Sequence, residues 1–218
     1  MKKTLFLFFV VMLSFWSCGK KTLQLPQVGV PGISAIQNHS EIWVFLKNDS
    51  NAIKAEINKN NTIGSTHWIV NIDKRLPLYE VIPALQMVKK KRAKKSPHSV
   101  EGMHTYLSYS DIENKRISLF LIDSIQYIML KDKELQELEE LNKTDGSIKF
   151  LKDSIVIDNK TIPKEQWKHV LFDTTNRKKY QLEFSKDLSY QDYMKYRLEV
   201  ANKLRSVPIN KVEFILQE

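Results

Sequence analysis

From Glu41 onward, apolar positions alternate or recur with a clear period. Ile42-Trp43-Val44-Phe45-Leu46 and Ala52-Ile53-Lys54-Ala55-Glu56-Ile57 flank Asn48-Asp49-Ser50-Asn51 and read as strand, turn and strand. Val81, Ile82, Leu85 and Val88 fall at helical spacing, as do Trp167, Val170 and Leu171. The segments 105–111 and 180–187 alternate and predict strands. Ser189 followed by Asp192 has the form of a capping box. It opens a helix with Tyr190, Tyr193, Met194, Leu198, Ala201 and Leu204 on one stripe, and Pro208 ends that helix. Val212, Phe214 and Leu216 then alternate in a closing strand. Between the halves, 111–123 reads as a short helix and 125–130 as a strand, although the apolar run 117–130 suits either. Lys133–Asn142, with Leu135, Leu138 and Leu141, reads as a charged helix joining them.

The pattern contains a repeat. Ile69-Val70-Asn71-Ile72-Asp73-Lys74-Arg75-Leu76-Pro77 returns as Ile155-Val156-Ile157-Asp158-Asn159-Lys160-Thr161-Ile162-Pro163, at a spacing of 86. In each copy a β-branched strand enters a turn, and an apolar residue and a proline open a helix, where the missing proline N–H would be unpaired anyway. Aligning Leu107 with Leu182, Tyr109 with Phe184 and Ser110 with Ser185 extends the match at a spacing of 75. The expected fold is α+β: two related ββαβαβ-type units over 41–131 and 132–218, with mixed sheets and helices packed on one face.

The first forty residues follow another logic. Lys2 and Lys3 precede an uncharged, mostly apolar run from Thr4 to Ser17, the order and length of a signal-peptide core. Fourteen helical residues span about 21 Å, short of the ~30 Å hydrocarbon core. Cys18, the one cysteine in the chain, stands between Ser17 and Gly19. The segment looks like a bacterial lipoprotein signal, which implies removal of residues 1–17 and acylation of Cys18. Phe15 and Trp16 depart from the usual pattern. Pro26, Pro31, Gly19, Gly29 and Gly32 then predict an extended tether over 18–40.

The run Phe184-Ser185-Lys186-Asp187-Leu188-Ser189-Tyr190-Gln191-Asp192-Tyr193 with Val212-Glu213-Phe214 resembles the periplasmic domain of ExbD/TolR-type biopolymer-transport proteins. The resemblance is best over 147–218. It implies a small α/β sheet in an envelope module that self-associates or faces peptidoglycan. In that family a membrane helix carries a proton-bearing Asp. Residues 4–17 contain no acid, so proton coupling is not carried over.

Composition adds a charge and several exclusions. Lys and Arg number 34 against 25 Asp and Glu, a net charge of +9 that falls to +7 without Lys2 and Lys3. A single cysteine excludes disulfide scaffolds and multi-cysteine metal sites. His39, His67, His98, His104 and His169 show no metal-ligand spacing, and His67 and His104 read as polar residues flanking strands. No glycine-rich phosphate loop or Gly-x-Ser-x-Gly elbow is present. Asp187 and Asp192 read as turn and cap. Six cations in seven residues, Lys89, Lys90, Lys91, Arg92, Lys94 and Lys95, suit a helix C-terminus and loop or an anionic envelope surface.

The sequence thus predicts a non-enzymatic, lipid-anchored, periplasm-facing binding or scaffolding protein without cofactor or metal. Its expected partners are the membrane, an envelope protein or peptidoglycan, or a second copy, and not nucleic acid. The alternatives are an ExbD/TolR-like transport subunit with an uncleaved anchor and an unrecognised periplasmic hydrolase.

Overall fold

The computed structural model describes residues 22–49, 52–58, 60–94, 100–131, 144–172, 179–203 and 209–217. Cys18, Lys95, Leu204, Pro208 and the predicted helix 133–142 lie outside them. The strands are β1 (Gln27–Val28), β2 (His39–Asp49), β3 (Ala52–Asn58), β4 (His67–Ile72), β5 (Thr105–Asp111), β6 (Arg116–Leu121), β7 (Gln126–Lys131), β8 (Gly146–Phe150), β9 (Ile155–Ile157), β10 (Lys160–Ile162), β11 (Tyr180–Ser185) and β12 (Ile209–Gln217). The helices are α1 (Leu78–Ala93), α2 (Trp167–Phe172) and α3 (Tyr190–Lys203). Among the described residues no helix is long and apolar enough to cross a membrane.

The class is α+β, with two six-stranded mixed sheets. The first has the order β1-β5-β4-β2-β3, with β6 also on β5; the second has the order β10-β9-β8-β11-β12-β7. Their inner strands share one plan. β2 pairs antiparallel with β3 and parallel with β4, which pairs parallel with β5. β8 pairs antiparallel with β9 and parallel with β11, which pairs parallel with β12. Ile42, Val70 and Leu107 therefore correspond to Ile148, Leu182 and Glu213 by register, and all six are fully buried.

Helices α1 and α3 both pack into one hydrophobic core that runs through both halves. The α1 residues Gln86 and Lys89 reach the second sheet's approach: Gln86 donates to the Tyr127 carbonyl at 2.9 Å, and Lys89 donates to the Ile122 carbonyl. Arg197 of α3 sits 5.1 Å above the Phe120 ring of β6. The helix starts bind one another's halves through backbone. Leu78 N–H donates to the Leu188 carbonyl and Tyr190 N–H to the Leu76 carbonyl; Tyr79 donates to Lys186 and Gln191 to Lys74. Each residue stands 112 positions from its counterpart, so the exchange is pseudo-twofold. It occupies N–H groups that a helix start leaves unpaired, which explains why Pro77 caps α1 without a side-chain bond.

Four expectations are corrected. Residues 111–123 form a β-hairpin, not a helix, because Asp111 accepts hydrogen bonds from Asn114 and Ser118 and folds the chain back on β5. The repeat at spacing 86 does not align equivalent elements. Asp158 and Asn159 both have positive φ and make a two-residue β-hairpin turn, so 155–163 is β9-turn-β10, and α2 starts at Trp167. β4 instead corresponds to β11, at a spacing of 112. The apolar strand 125–130 does form, as β7, but it pairs with β12 in the second sheet. The expected tether is part of the fold from Gln24 on. β1 pairs with β5, Val28 and Val30 are buried, and Ile33 bridges Leu119. Gly32 is needed there, since a side chain would collide with the Tyr109 hydroxyl, which donates to the Val30 carbonyl at 3.0 Å.

Asp73 holds the turn that presents the α1 start. Its fully buried carboxylate takes Arg75 Nε at 2.8 Å and Nη2 at 2.7 Å, with backbone bonds from Arg75 and Gln24. Burial alone would raise its pKa, but these hydrogen bonds outweigh it and hold the carboxyl below its usual range. A depressed carboxylate contributes stability above its unfolded pKa of about 3.8 that is lost as pH falls through the folded value. Asp73→Asn should cost about 1–3 kcal/mol at pH 7. It should also flatten the acid limb of stability in urea titrations between neutral pH and pH 3; an unchanged limb would refute the role.

Candidate functional site

The basic run ends α1 beside the starts of β4 and β5, which lie together through the pairing of Trp68 with Thr105. Cations in a last helical turn favour the negative end of its dipole, and Lys90, Lys91 and Arg92 occupy that turn. The structure divides the run. The Arg92 guanidinium lies 3.6 Å from the Trp68 ring centroid, while Trp68 Nε1 donates to the Ile63 carbonyl at 2.8 Å. Arg92 Nη2 donates to the Thr66 carbonyl at 3.0 Å and more weakly to the His104 carbonyl at 3.5 Å, and its Nε is buried without a hydrogen-bond partner. Burial lowers the Arg92 pKa, against the opposing charge of Asp123. Lys89 donates to the Ile122 and Asp123 carbonyls at 2.8 and 3.0 Å, and burial lowers its pKa too. Lys89 and Arg92 are therefore clasps, whereas Lys90, Lys91 and Lys94 are exposed.

A groove of about 780 Å³ opens at this end. Trp68, Lys91, Arg92, Lys94, Glu101 and Met103 are among its walls. Its size falls in the ordinary range for small-ligand sites, about 300–1,000 Å³.

A histidine pair stands next to it. His67 begins β4 and His104 immediately precedes β5, as polar residues flanking strands should. Their rings stack at 5.6 Å, and Tyr106 meets both edge-on at 5.9 and 6.3 Å. His67 Nδ1 accepts the His104 N–H at 3.0 Å, which leaves its proton on Nε2. His104 Nδ1 bonds Asp123 at 2.6 Å, and the other Asp123 oxygen accepts the Thr105 N–H at 2.9 Å. Burial, then His104 and Arg92, lower the His67 pKa. A folded imidazole of depressed basicity favours the fold above its unfolded pKa of about 6.5 and opposes it as pH drops below that value. The His104–Asp123 geometry suits an acid–base pair, but neither histidine lines the groove. Among the described residues no group of three or more His, Cys, Asp or Glu is placed to hold a metal ion.

Sequence reasoning named the cations but not Trp68, Tyr106 or Asp123. Trp68 and Arg92 meet only because α1 returns the chain to the start of β4. Asp123 reaches His104 only because β6 folds back on β5. No local period encodes either meeting. No family model matches the chain, and no curated protein or solved structure is significantly similar to it.

Proposed function

We propose that this protein is a lipid-anchored, periplasm-facing binding or scaffolding module of the cell envelope, without catalytic activity, whose C-terminal half is ExbD/TolR-like. The observation that carries the reading is Cys18, directly after an uncharged fourteen-residue segment and between small residues. The element order β8-β9-β10-α2-β11-α3-β12 is compatible with the resemblance over 147–218. The exposed Lys90, Lys91 and Lys94 supply attraction to an anionic envelope surface, about 1 kcal/mol each when close to it.

Intact-mass analysis of membrane-extracted protein tests the anchor. The expected species begins at an acylated Cys18, and Cys18→Ala should abolish it. A membrane-retained chain starting at Met1 with no acyl group would instead favour the transport-subunit reading.

A further inference from the structure

We infer that the groove at the end of α1 is a saturable binding site for a phosphate ester that carries an apolar group. This rests on the envelope reading for its setting but deepens it, because it assigns a defined site in place of diffuse surface attraction. Among the described residues, three cations, Lys91, Arg92 and Lys94, face the groove against one acid, Glu101. Together they more than offset the partial negative charge of the helix end. Among the described residues, neither Lys91 nor Lys94 has an acidic partner within salt-bridge distance.

The donor set selects the anion. A carboxylate is best recognised by the planar fork of an arginine. The Arg92 fork is committed to the Trp68 face and to the Thr66 and His104 carbonyls, and its Nε is buried. The free donors are two ammonium groups, compact point charges with three N–H bonds each, which suit a tetrahedral anion with several acceptor oxygens. Val100, half exposed, and Met103 make an apolar wall on the opposite strand approach. The ligand is thus amphipathic: phosphate at Lys91 and Lys94, with its apolar group against Val100 and Met103. A soluble phosphomonoester and a lipid phosphodiester share this chemistry.

Lys90 provides the decisive control, because it is exposed, adjacent and equal in charge but does not line the groove. The full chain in non-ionic detergent would be titrated calorimetrically with inorganic phosphate, hexyl phosphate and dihexanoyl phosphatidylglycerol. Hexyl phosphate should bind at least about tenfold tighter than inorganic phosphate, since its buried methylenes add to affinity at about 0.8 kcal/mol each. Lys91→Ser and Lys94→Ser should each weaken it roughly fivefold, the effect of one close cation. Lys90→Ser should change it less than about twofold. Val100→Ser should weaken hexyl phosphate while leaving inorganic phosphate unchanged. A preference for the phosphatidylglycerol marks a lipid source, and a preference for hexyl phosphate marks a soluble one. Equal losses for Lys90→Ser and Lys91→Ser, or no saturable binding, would overturn the site while leaving Cys18 acylation untouched.

Discussion

Glu213→Leu should destabilise the protein by about 3–5 kcal/mol, the cost of leaving a buried charge without its partner. Glu213 is fully buried on β12, between β11 and the edge strand β7, on the face that meets α3. It accepts Arg197 Nε at 2.5 Å and the Tyr193 hydroxyl at 2.8 Å, and Tyr193 reaches Tyr127 of β7 at 3.3 Å. Burial alone would lower the Arg197 pKa, but the Glu213 charge outweighs it and raises it. Burial also pushes both tyrosines well up, so they act as neutral hydrogen-bonding groups. The corresponding position in the first half is Leu107, so leucine fits this place in the sheet plan and the loss measures charge rather than shape. Arg197→Met in the Glu213→Leu background should recover most of the loss, because a buried pair replaced by apolar groups is close to neutral. A urea double-mutant cycle checks this. A single-mutant loss below about 1 kcal/mol would show that water reaches Arg197.

Phe150→Ala should cost about 3–5 kcal/mol, the range for removing a buried aromatic side chain and leaving its cavity. Phe150 has no exposed surface and stands between three rings of the second half. It stacks on Phe184 at 5.1 Å and Tyr196 at 4.7 Å, and meets Trp167 edge-on at 5.6 Å; Tyr193 in turn meets Phe184 at 4.9 Å. It therefore joins β8, β11, α2 and α3. Phe150→Leu should cost markedly less, since most of the volume remains. Ile117→Ala, at a 58% exposed edge position, should stay within about 0.5 kcal/mol. Urea midpoints of the three variants test the ranking, and equal midpoints for Phe150→Ala and Ile117→Ala would contradict the packing.

Local chemistry was readable wherever neighbours in sequence are neighbours in space. The Ser189 cap forms as spaced, with Asp192 N–H on the Ser189 hydroxyl at 3.1 Å and the hydroxyl, in place of the backbone N–H of a full capping box, on the Asp192 carboxylate at 2.7 Å. Val81, Ile82, Leu85 and Val88 all face the core from α1. The expected strands on either side of the Asn48-Asp49-Ser50-Asn51 turn form β2 and β3 and pair antiparallel as far as Asp49 and Ala52, while Ser50 and Asn51 lie outside the described residues. Residues 111–123 misled because their short polar residues suit a helix start or a hairpin turn alike, and the pairing with β5 chose the turn. The repeat misled for a related reason. Asp-Asn-Lys after a β-branched run reads the same before a helix and inside a type I′ turn, and only the sheet partner distinguishes them.

The sequence alone determined the element types along most of the chain, the cationic end of α1, and the apolar segment that places Cys18 at its boundary. These follow from period, charge and spacing, which are properties of residues close in the chain. Tertiary structure decided which elements are partners. It matched β4 with β11, sent β7 to the second sheet, and made the expected tether a strand of the first. It also split the five described cations of the basic run into half-buried clasps and exposed donors. Such choices depend on contacts between residues tens of positions apart, where pairing and burial outweigh local preference, and no local pattern records them.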